Sequence, residues 1–546
     1  MPAWLLVLDR YFPVRYLCLL LCALLTLVGG LAALQGWASG WWALPGLAGL
    51  GLGLRDTLQT RHAVLRNYPV IGHLRFLLEW IRPELRQYFI ESDNEAAPFS
   101  RQQRSLVYQR AKAEPDKRPF GTQLDVQALG YEWINHSLSP TTLASADFRT
   151  TIGAGRAQPY SASVFNISAM SFGALSANAI LALNGGAKKG GFAHDTGEGS
   201  ISTHHRVHGG DLVWEIASGY FGCRDANGRF DPVRFAAQAR EPQVKLIEVK
   251  LSQGAKPGHG GMLPGPKVTA EIAAARGVPQ GVDCISPAAH SAFSTPRELL
   301  AFIEQLRELS GGKPTGFKLA IGHPWEWFAI VKAMLATGIV PDFIVVDGAE
   351  GGTGAAPLEF ADHVGAPLQE GLLLVHNTLV GVGLRDRIRL GAAGKVVSAF
   401  DIARLMALGA DWCNSARGFM FALGCLQAQS CHTGHCPTGV TTQDPVRQRA
   451  LVVTDKTERV YLFHHNTLEA LRELVQAAGL QHPGEITASH IVRRNAGHEV
   501  RLLANLLPFV APGAVLAAER GELDWPHNTF RIYWPRANAD SFHAST

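Results

Sequence analysis

Between residues 150 and 480, short β-branched runs alternate with Ala/Leu-rich stretches, and this alternation narrows the folds open to the chain. Strands are predicted at 163–169, 245–250, 283–286, 316–321, 342–347, 388–391 and 411–415. Helical stretches at 296–309, 325–337 and 399–408 lie between them. Crossovers of that length join parallel strands. Seven or eight such units over about 300 residues predict an α/β fold, a (β/α)8 TIM barrel, rather than a doubly wound sheet. No G-x-G-x-x-G opens a helix after the first strand, which counts against a dinucleotide-binding domain.

The N-terminus has a different texture. Residues 16–54 contain no Asp, Glu, Lys, Arg or His. One membrane crossing needs about 20 residues, and Gly36 to Gly40 break the run near its middle. The run therefore predicts a transmembrane helical hairpin over 1–56, with spans at 14–35 and 40–56. Trp37, Trp41 and Trp42 suit the headgroup level, and Arg10, Arg15, Arg55, Arg61 and Arg66 place both ends in the cytoplasm. The expected localisation is multi-pass in the cytoplasmic (inner) membrane. A cleaved signal peptide is the weaker reading, since a second apolar stretch follows the first. Residues 57–149 read as a helical juxtamembrane collar, with Pro83 starting a helix. Residues 481–546 form a tail without a usable motif. Net charge is +4, from 50 Lys+Arg against 46 Asp+Glu, so no field suited to nucleic acid exists.

In such a barrel, chemistry collects where strands end. The expected strand ends carry Met170-Ser171-Phe172-Gly173, Thr196-Gly197-Glu198-Gly199, Lys250 to Gly261, Lys318, and Gly351-Gly352-Thr353-Gly354. Clustered glycines let a backbone approach a ligand closely. The last two units offer Gly394-Lys395 and Ala416-Arg417, small residues followed by a cation, which suit the phosphate of flavin mononucleotide (FMN).

Eight cysteines are too few for a disulfide scaffold in this length. Cys18 and Cys22 read as packing residues in the first span. Cys425, Cys431 and Cys436 form C-x5-C-x4-C-P. Three thiolates suit an iron–sulfur cluster, of which a 3Fe-4S cluster needs only three cysteines; zinc completed by His432 or His435 is the rival.

Together the stretches 169–176, 197–199, 253–261, 263–265, 351–355 and 425–440 resemble the flavin-binding synthase domain of glutamate synthase. The resemblance covers roughly 60% of the chain, counted against the 150–480 barrel. It implies FMN and a 3Fe-4S cluster, with Met170, Ser171, Gly173, Gly351, Gly352, Thr353, Gly394, Lys395, Ala416 and Arg417 about the flavin. It further implies reductive amination of 2-oxoglutarate by ammonia to L-glutamate. Matched residue by residue, Lys250, Lys256 and Arg276 surround the keto-acid carboxylates, Glu198 lies near the substrate, and the three cysteines ligate the cluster. Gln253 and Lys318 join the substrate contacts. A dicarboxylic keto acid needs cationic clamps; Glu198 is the candidate general acid or base, and Lys256, one of the clamps, is the other expected catalytic residue. The sequence departs from the family at Met262, where a Gln contacting the substrate is implied, and a thioether cannot donate its hydrogen bond. That departure points to an alternative amine or keto acid. A flavin and iron–sulfur electron-transfer module without amination is the other alternative. The glutaminase domain of the family and a nicotinamide-binding domain are not found. Ammonia is therefore expected from solution or another subunit, and electrons from a separate reductase or ferredoxin.

Overall fold

The computed structural model describes residues 13–37, 40–94, 97–496 and 499–545. Arg10, Ala38 and Ser39, which enter the expected hairpin, lie outside them. The chain divides into two compact units, Met1–Ala96 and Ala97–Thr546.

In the first unit, helices Leu17–Leu34 and Ala43–Leu58 pack antiparallel. Their backbones touch because the contact points lack side chains: a Cβ on Gly46 would lie 2.7 Å from the Thr26 amide nitrogen, and one on Gly53 2.5 Å from Leu19 Cδ1. Of the two, only Val14–Leu34 is long and apolar enough to cross a membrane. The partner helix has 16 residues, about 24 Å at ~1.5 Å per residue, against a hydrocarbon core of about 30 Å. Arg55 and Asp56 end its apolar part. The two-span expectation therefore reduces to one qualifying helix. Asp56 is buried and accepts hydrogen bonds from the Val70 amide and from His73 Nε2, both at 3.0 Å. It thereby fixes the start of helix Gly72–Leu85. That helix runs through Pro83 instead of starting there, and gives up one backbone hydrogen bond.

The second unit is a closed parallel barrel of β1 (Phe165–Ile167), β2 (His194–Asp195), β3 (Leu212–Ile216), β4 (Val244–Lys250), β5 (Thr315–Leu319), β6 (Phe343–Asp347), β7 (Arg389–Ala393) and β8 (Trp412–Ser415). Each strand pairs with the next, and β8 pairs with β1. Helices α1 (Ala177–Gly190), α2 (Thr203–Arg206), α3 (Pro232–Ala239), α4 (Pro296–Leu309), α5 (Pro324–Thr337), α6 (Leu368–Gly381), α7 (Ala399–Ala407) and α8 (Val453–Ala477) follow the strands in turn. The expected TIM barrel is therefore present.

One expected strand is not part of it. Cys284–Ile285 pairs antiparallel with Met262–Leu263 inside a long insertion between β4 and α4. The strands that complete the barrel instead are β2, only two residues long, and β3, whose apolar run carries Glu215.

A hairpin of Arg149–Ile152 and Tyr160–Ser163 stops the lower end of the barrel. Its Ile152, Tyr160 and Ala162 form one apolar cluster with Val213, Leu246, Phe343, Val345 and Trp412 of the strands. The expected collar is divided: helix Arg101–Ala111 packs on α8, and Asn466 donates to the Arg110 carbonyl at 2.8 Å. The tail also joins this unit. Ile491–Arg494 pairs with Glu132–Ile134, and Trp534 is fully buried against Phe328.

Near the stopper, Asp342 accepts hydrogen bonds from Arg307 Nε at 3.0 Å, Arg156 Nε at 2.5 Å and the Thr315 amide at 2.9 Å. Asp342 and Arg307 are both buried. Asp342→Ala would leave buried Arg307 with the part-exposed Glu304 as its carboxylate partner and leave the Thr315 amide unpaired, so an expected loss of about 3 kcal/mol should appear in denaturant unfolding of the purified protein.

Candidate active site

The upper mouth of the barrel gathers one carboxylate and three cations. Lys250 ends β4, and its Nζ lies 2.9 Å from Oε2 of Glu198 in the loop after β2. Lys256 and Arg276, both buried, also act on Glu198. Arg276 donates to the Phe172 carbonyl at 3.2 Å, and its guanidinium centre lies 5.1 Å from the Phe221 ring centroid. The glycines bring these loops into contact. A Cβ on Gly199 would meet Ser171 Cβ at 2.9 Å and Arg276 Nη2 at 3.1 Å. One on Gly261 would lie 2.3 Å from Glu198 Oε1. Residues 251–295 therefore fold against Glu198, and Met170, Ser171 and Gly173 line the adjoining loop.

Charge sorts the roles of these groups. Burial alone would raise the Glu198 carboxyl, but Lys250, then Lys256 and Arg276, hold it down to about 2. Glu198 is thus a fixed anion near neutrality, which suits stabilising positive charge better than carrying protons. Burial pushes the Lys256 ammonium below the ordinary lysine value; Glu198 partly supports it and Lys250 opposes it. Glu198, the expected acid or base, is therefore less suited to that role than Lys256, the other expected catalytic residue, which is the one suited to releasing a proton.

Lys318 does not join this group. It is buried in the barrel interior, ion-paired to Glu215 of β3, and its Nζ lies 3.4 Å from Glu248 of β4. Despite burial, those carboxylates hold its ammonium above the ordinary value. Burial, then Glu215, raises neighbouring Asp195 to about 7. The carboxylate oxygens of Asp195, Glu215 and Glu248 lie within 4.8 Å of one another, and Lys318 supplies the counter-charge. Gln253 is half-buried in the turn above, where Asp347 Oδ2 accepts from the Gly254 amide at 2.9 Å and the Ala349 carbonyl accepts from the Ala255 amide at 3.1 Å. Asp347, which sequence reasoning missed, holds the loop bearing Lys256. Its position as the last residue of β6 was the available signal.

The expected phosphate loops also meet. Arg417 Nη2 donates to the Thr353 carbonyl at 2.8 Å, and a Cβ on Gly352 would lie 2.6 Å from the same nitrogen. Ser415 Oγ donates to the Val396 carbonyl at 2.5 Å, joining the loop of Ala416 to that of Gly394 and Lys395. Lys395 is exposed. Gly351 sits under the Gly348 carbonyl. Among the described residues, neither Lys395 nor Arg417 has a carboxylate ion-pair partner.

The cysteine loop lies beside the glycine loop. A Cβ on Gly354 would be 4.0 Å from Cys431 Cβ. Cys436 is buried, whereas Cys425 and Cys431 are half-buried. Burial raises Cys425 to about 11. For Cys436 burial is outweighed by hydrogen bonds from Thr438 and Thr441, which bring it to about 7. Among the described residues, no three of these sulfurs and the nitrogens of His432 and His435 lie within 4.8 Å of one another. Both histidines are exposed.

These features define a (β/α)8 barrel with a cation-rich mouth and a cysteine-bearing loop beside it. The sequence matches the conserved region in glutamate synthase over residues 144–481. It is 38% identical over 496 residues to glutamate synthase large subunit-like protein YerD of Bacillus subtilis, covering 83% of this chain and 94% of that protein. It is 34% identical over 358 residues to archaeal glutamate synthase (NADPH) of Methanocaldococcus jannaschii, covering 64% of this chain and 65% of that one. With archaeal-type glutamate synthase (NADPH) of Thermotoga maritima it shares 33% over 339 residues, 61% of this chain and 63% of that one. The chain thus spans less than two thirds of these two synthases, but nearly all of YerD. It belongs to the glutamate synthase family and is an oxidoreductase of that type.

The pairing of Glu198 with Lys256 is testable through pH. Turnover is expected to fall on the alkaline side below the ordinary lysine value, as Lys256 loses its proton. Glu198→Gln removes the anion that supports that charge, so the alkaline limb is expected to move to lower pH. A limb unmoved by Glu198→Gln would separate the two groups.

Proposed function

We propose that this chain reductively aminates 2-oxoglutarate with ammonia to L-glutamate, using FMN and a 3Fe-4S cluster held by Cys425, Cys431 and Cys436. The carrying observation is the grouping of Glu198, Lys250, Lys256 and Arg276 at the barrel mouth, beside the cysteine loop. The residues fit both groups. Among the described residues, Arg417 and Lys395 are cations without carboxylate ion-pair partners, which suits a phosphate among the neighbouring small residues. The sulfurs of the three cysteines do not all come within 4.8 Å of one another, whereas sulfurs on one tetrahedral zinc stand about 3.8 Å apart at ~2.3 Å bonds, which favours the cluster over zinc. Bound FMN would supply the reducing electron pair, delivered as hydride to the substrate carbon.

The chain's own residues do the rest. Arg276 and Lys250 hold the two carboxylates of the keto acid; each charge-assisted bond contributes about 1.5–3 kcal/mol. Lys256 gives its proton to the hydroxyl oxygen of the ammonia adduct, which leaves as water. The Glu198 carboxylate then stabilises the positive charge on the imine nitrogen. Electrons arrive from a separate reductase or ferredoxin. Helix Val14–Leu34 anchors the protein in the cytoplasmic membrane, with the barrel on the cytoplasmic side. Met262 is 59% exposed, next to the glycine that covers Glu198. This favours a second reading in which the same machinery accepts a bulkier or less polar amine or keto acid.

Detergent-purified protein is expected to show flavin absorption and iron in the ratio the cluster demands. Dithionite-reduced protein should be reoxidised on adding 2-oxoglutarate with ammonium. Reoxidation only by another amine or keto acid would move the assignment to the second reading, and a colourless zinc protein would overturn both. Cys431→Ser is expected to remove the iron while flavin stays; unchanged iron content would overturn the ligand assignment. Lys256→Ala is expected to abolish turnover with flavin retained.

A further inference from the structure

Lys267 closes a 3-10 turn, Gly265–Lys267, in the same insertion that carries Lys256 and Arg276. The turn is pinned where Asp283 Oδ1 accepts from the Gly265 amide at 2.6 Å. From it the Lys267 side chain reaches the cysteine loop. Its Nζ donates to the Cys431 carbonyl at 3.0 Å, and a Cβ on Gly434 would be 3.7 Å from its Cε. It is half-buried and lies within electrostatic reach of both Cys431 and Cys436. Among the described residues it has no carboxylate ion-pair partner, so its charge is directed at the cysteines. The mechanism proposed above gives it no task.

We propose that Lys267 is a positioning residue that ties the substrate-binding insertion to the cysteine loop, and that its charge raises the reduction potential of the cluster held there. The inference rests on the reading of these cysteines as iron–sulfur ligands. A fixed cation beside a group that becomes more negative on taking up one electron favours the reduced form, and the effect is strongest where water is partly excluded.

The test is a redox titration of the detergent-purified holoprotein, followed by electron paramagnetic resonance, with iron assayed on each sample. Lys267→Gln keeps a donor for the Cys431 carbonyl and removes the charge. It is expected to retain iron and to lower the one-electron reduction equilibrium about tenfold, or ~59 mV. Lys267→Arg should stay near the parent potential. Loss of iron in Lys267→Met, with retention in the Gln and Arg variants, would support the tether. A parent potential in iron-replete Lys267→Gln would overturn the electrostatic role. Full iron and an unchanged signal in Lys267→Met would overturn the tether. Absence of iron from the parent protein would instead remove the cysteine-ligand reading, an outcome visible before any variant is titrated.

Discussion

A single ammonium, that of Lys318, stands among four carboxyls inside the barrel: Asp195, Glu215, Glu248 and Asp347. Burying charge is unfavourable unless it is paired, and one lysine cannot neutralise four acids. The excess is accommodated in two ways. Burial and mutual repulsion raise Asp195 and Glu248, so that protons stay on the cluster. The cations of the mouth supply the remainder, with Lys250 acting on both Asp195 and Asp347. An acidic interior beneath a basic rim is thus one electrostatic unit, and the positions of Lys250 and the Lys256 loop follow from it.

The insertion after β4 turns that arrangement into a site. Its first turn is held by Asp347 through the Gly254 amide, its middle presses Gly261 onto Glu198, and its helix Ala270–Arg276 brings Arg276 to the Phe172 carbonyl. The same excursion reaches the cysteines through Lys267. A barrel strand end supplies one cation; a long loop, braced at several points, supplies the others. Fixed backbone contacts of this kind hold charged side chains in place without relying on their own flexible stems.

Much of the barrel was legible because β4 to β8 are short runs rich in β-branched and apolar residues, several of them with charged or polar interruptions, set between helical stretches of crossover length. The helices between them open with capping residues, as Thr295 and Ser398 do. β2 was illegible because two residues carry no period; β3 was missed although its run resembles β4 and β5, which carry Glu248 and Lys318 as β3 carries Glu215. The run at 283–286 misled because it is a strand, but one of an antiparallel pair outside the barrel. Lys250 and Lys256 could be read from their positions at a strand end and in a glycine-rich loop, whereas Arg276, at the end of helix Ala270–Arg276, was reached only through the family resemblance. The fixed charge of Glu198, the bracing by Asp347 and the removal of Lys318 into the interior could not, since each depends on neighbours from distant strands. At the N-terminus, hydropathy located both helices, the second expected to end at residue 56 and observed to run to Leu58, but it did not reveal the partners of Asp56. Asp56 is spent on Val70 and His73 rather than left in a loop.

The stopper hairpin has a consequence beyond closing the barrel. Its Ile152, Tyr160 and Ala162 make the floor apolar, and an apolar floor is a poor dielectric. Field lines from the interior acids are therefore discouraged from leaving downward and emerge through the rim. The barrel behaves as an insulated cup whose potential is focused at its opening, so the floor, remote from every reacting atom, helps set the voltage felt by whatever enters from above.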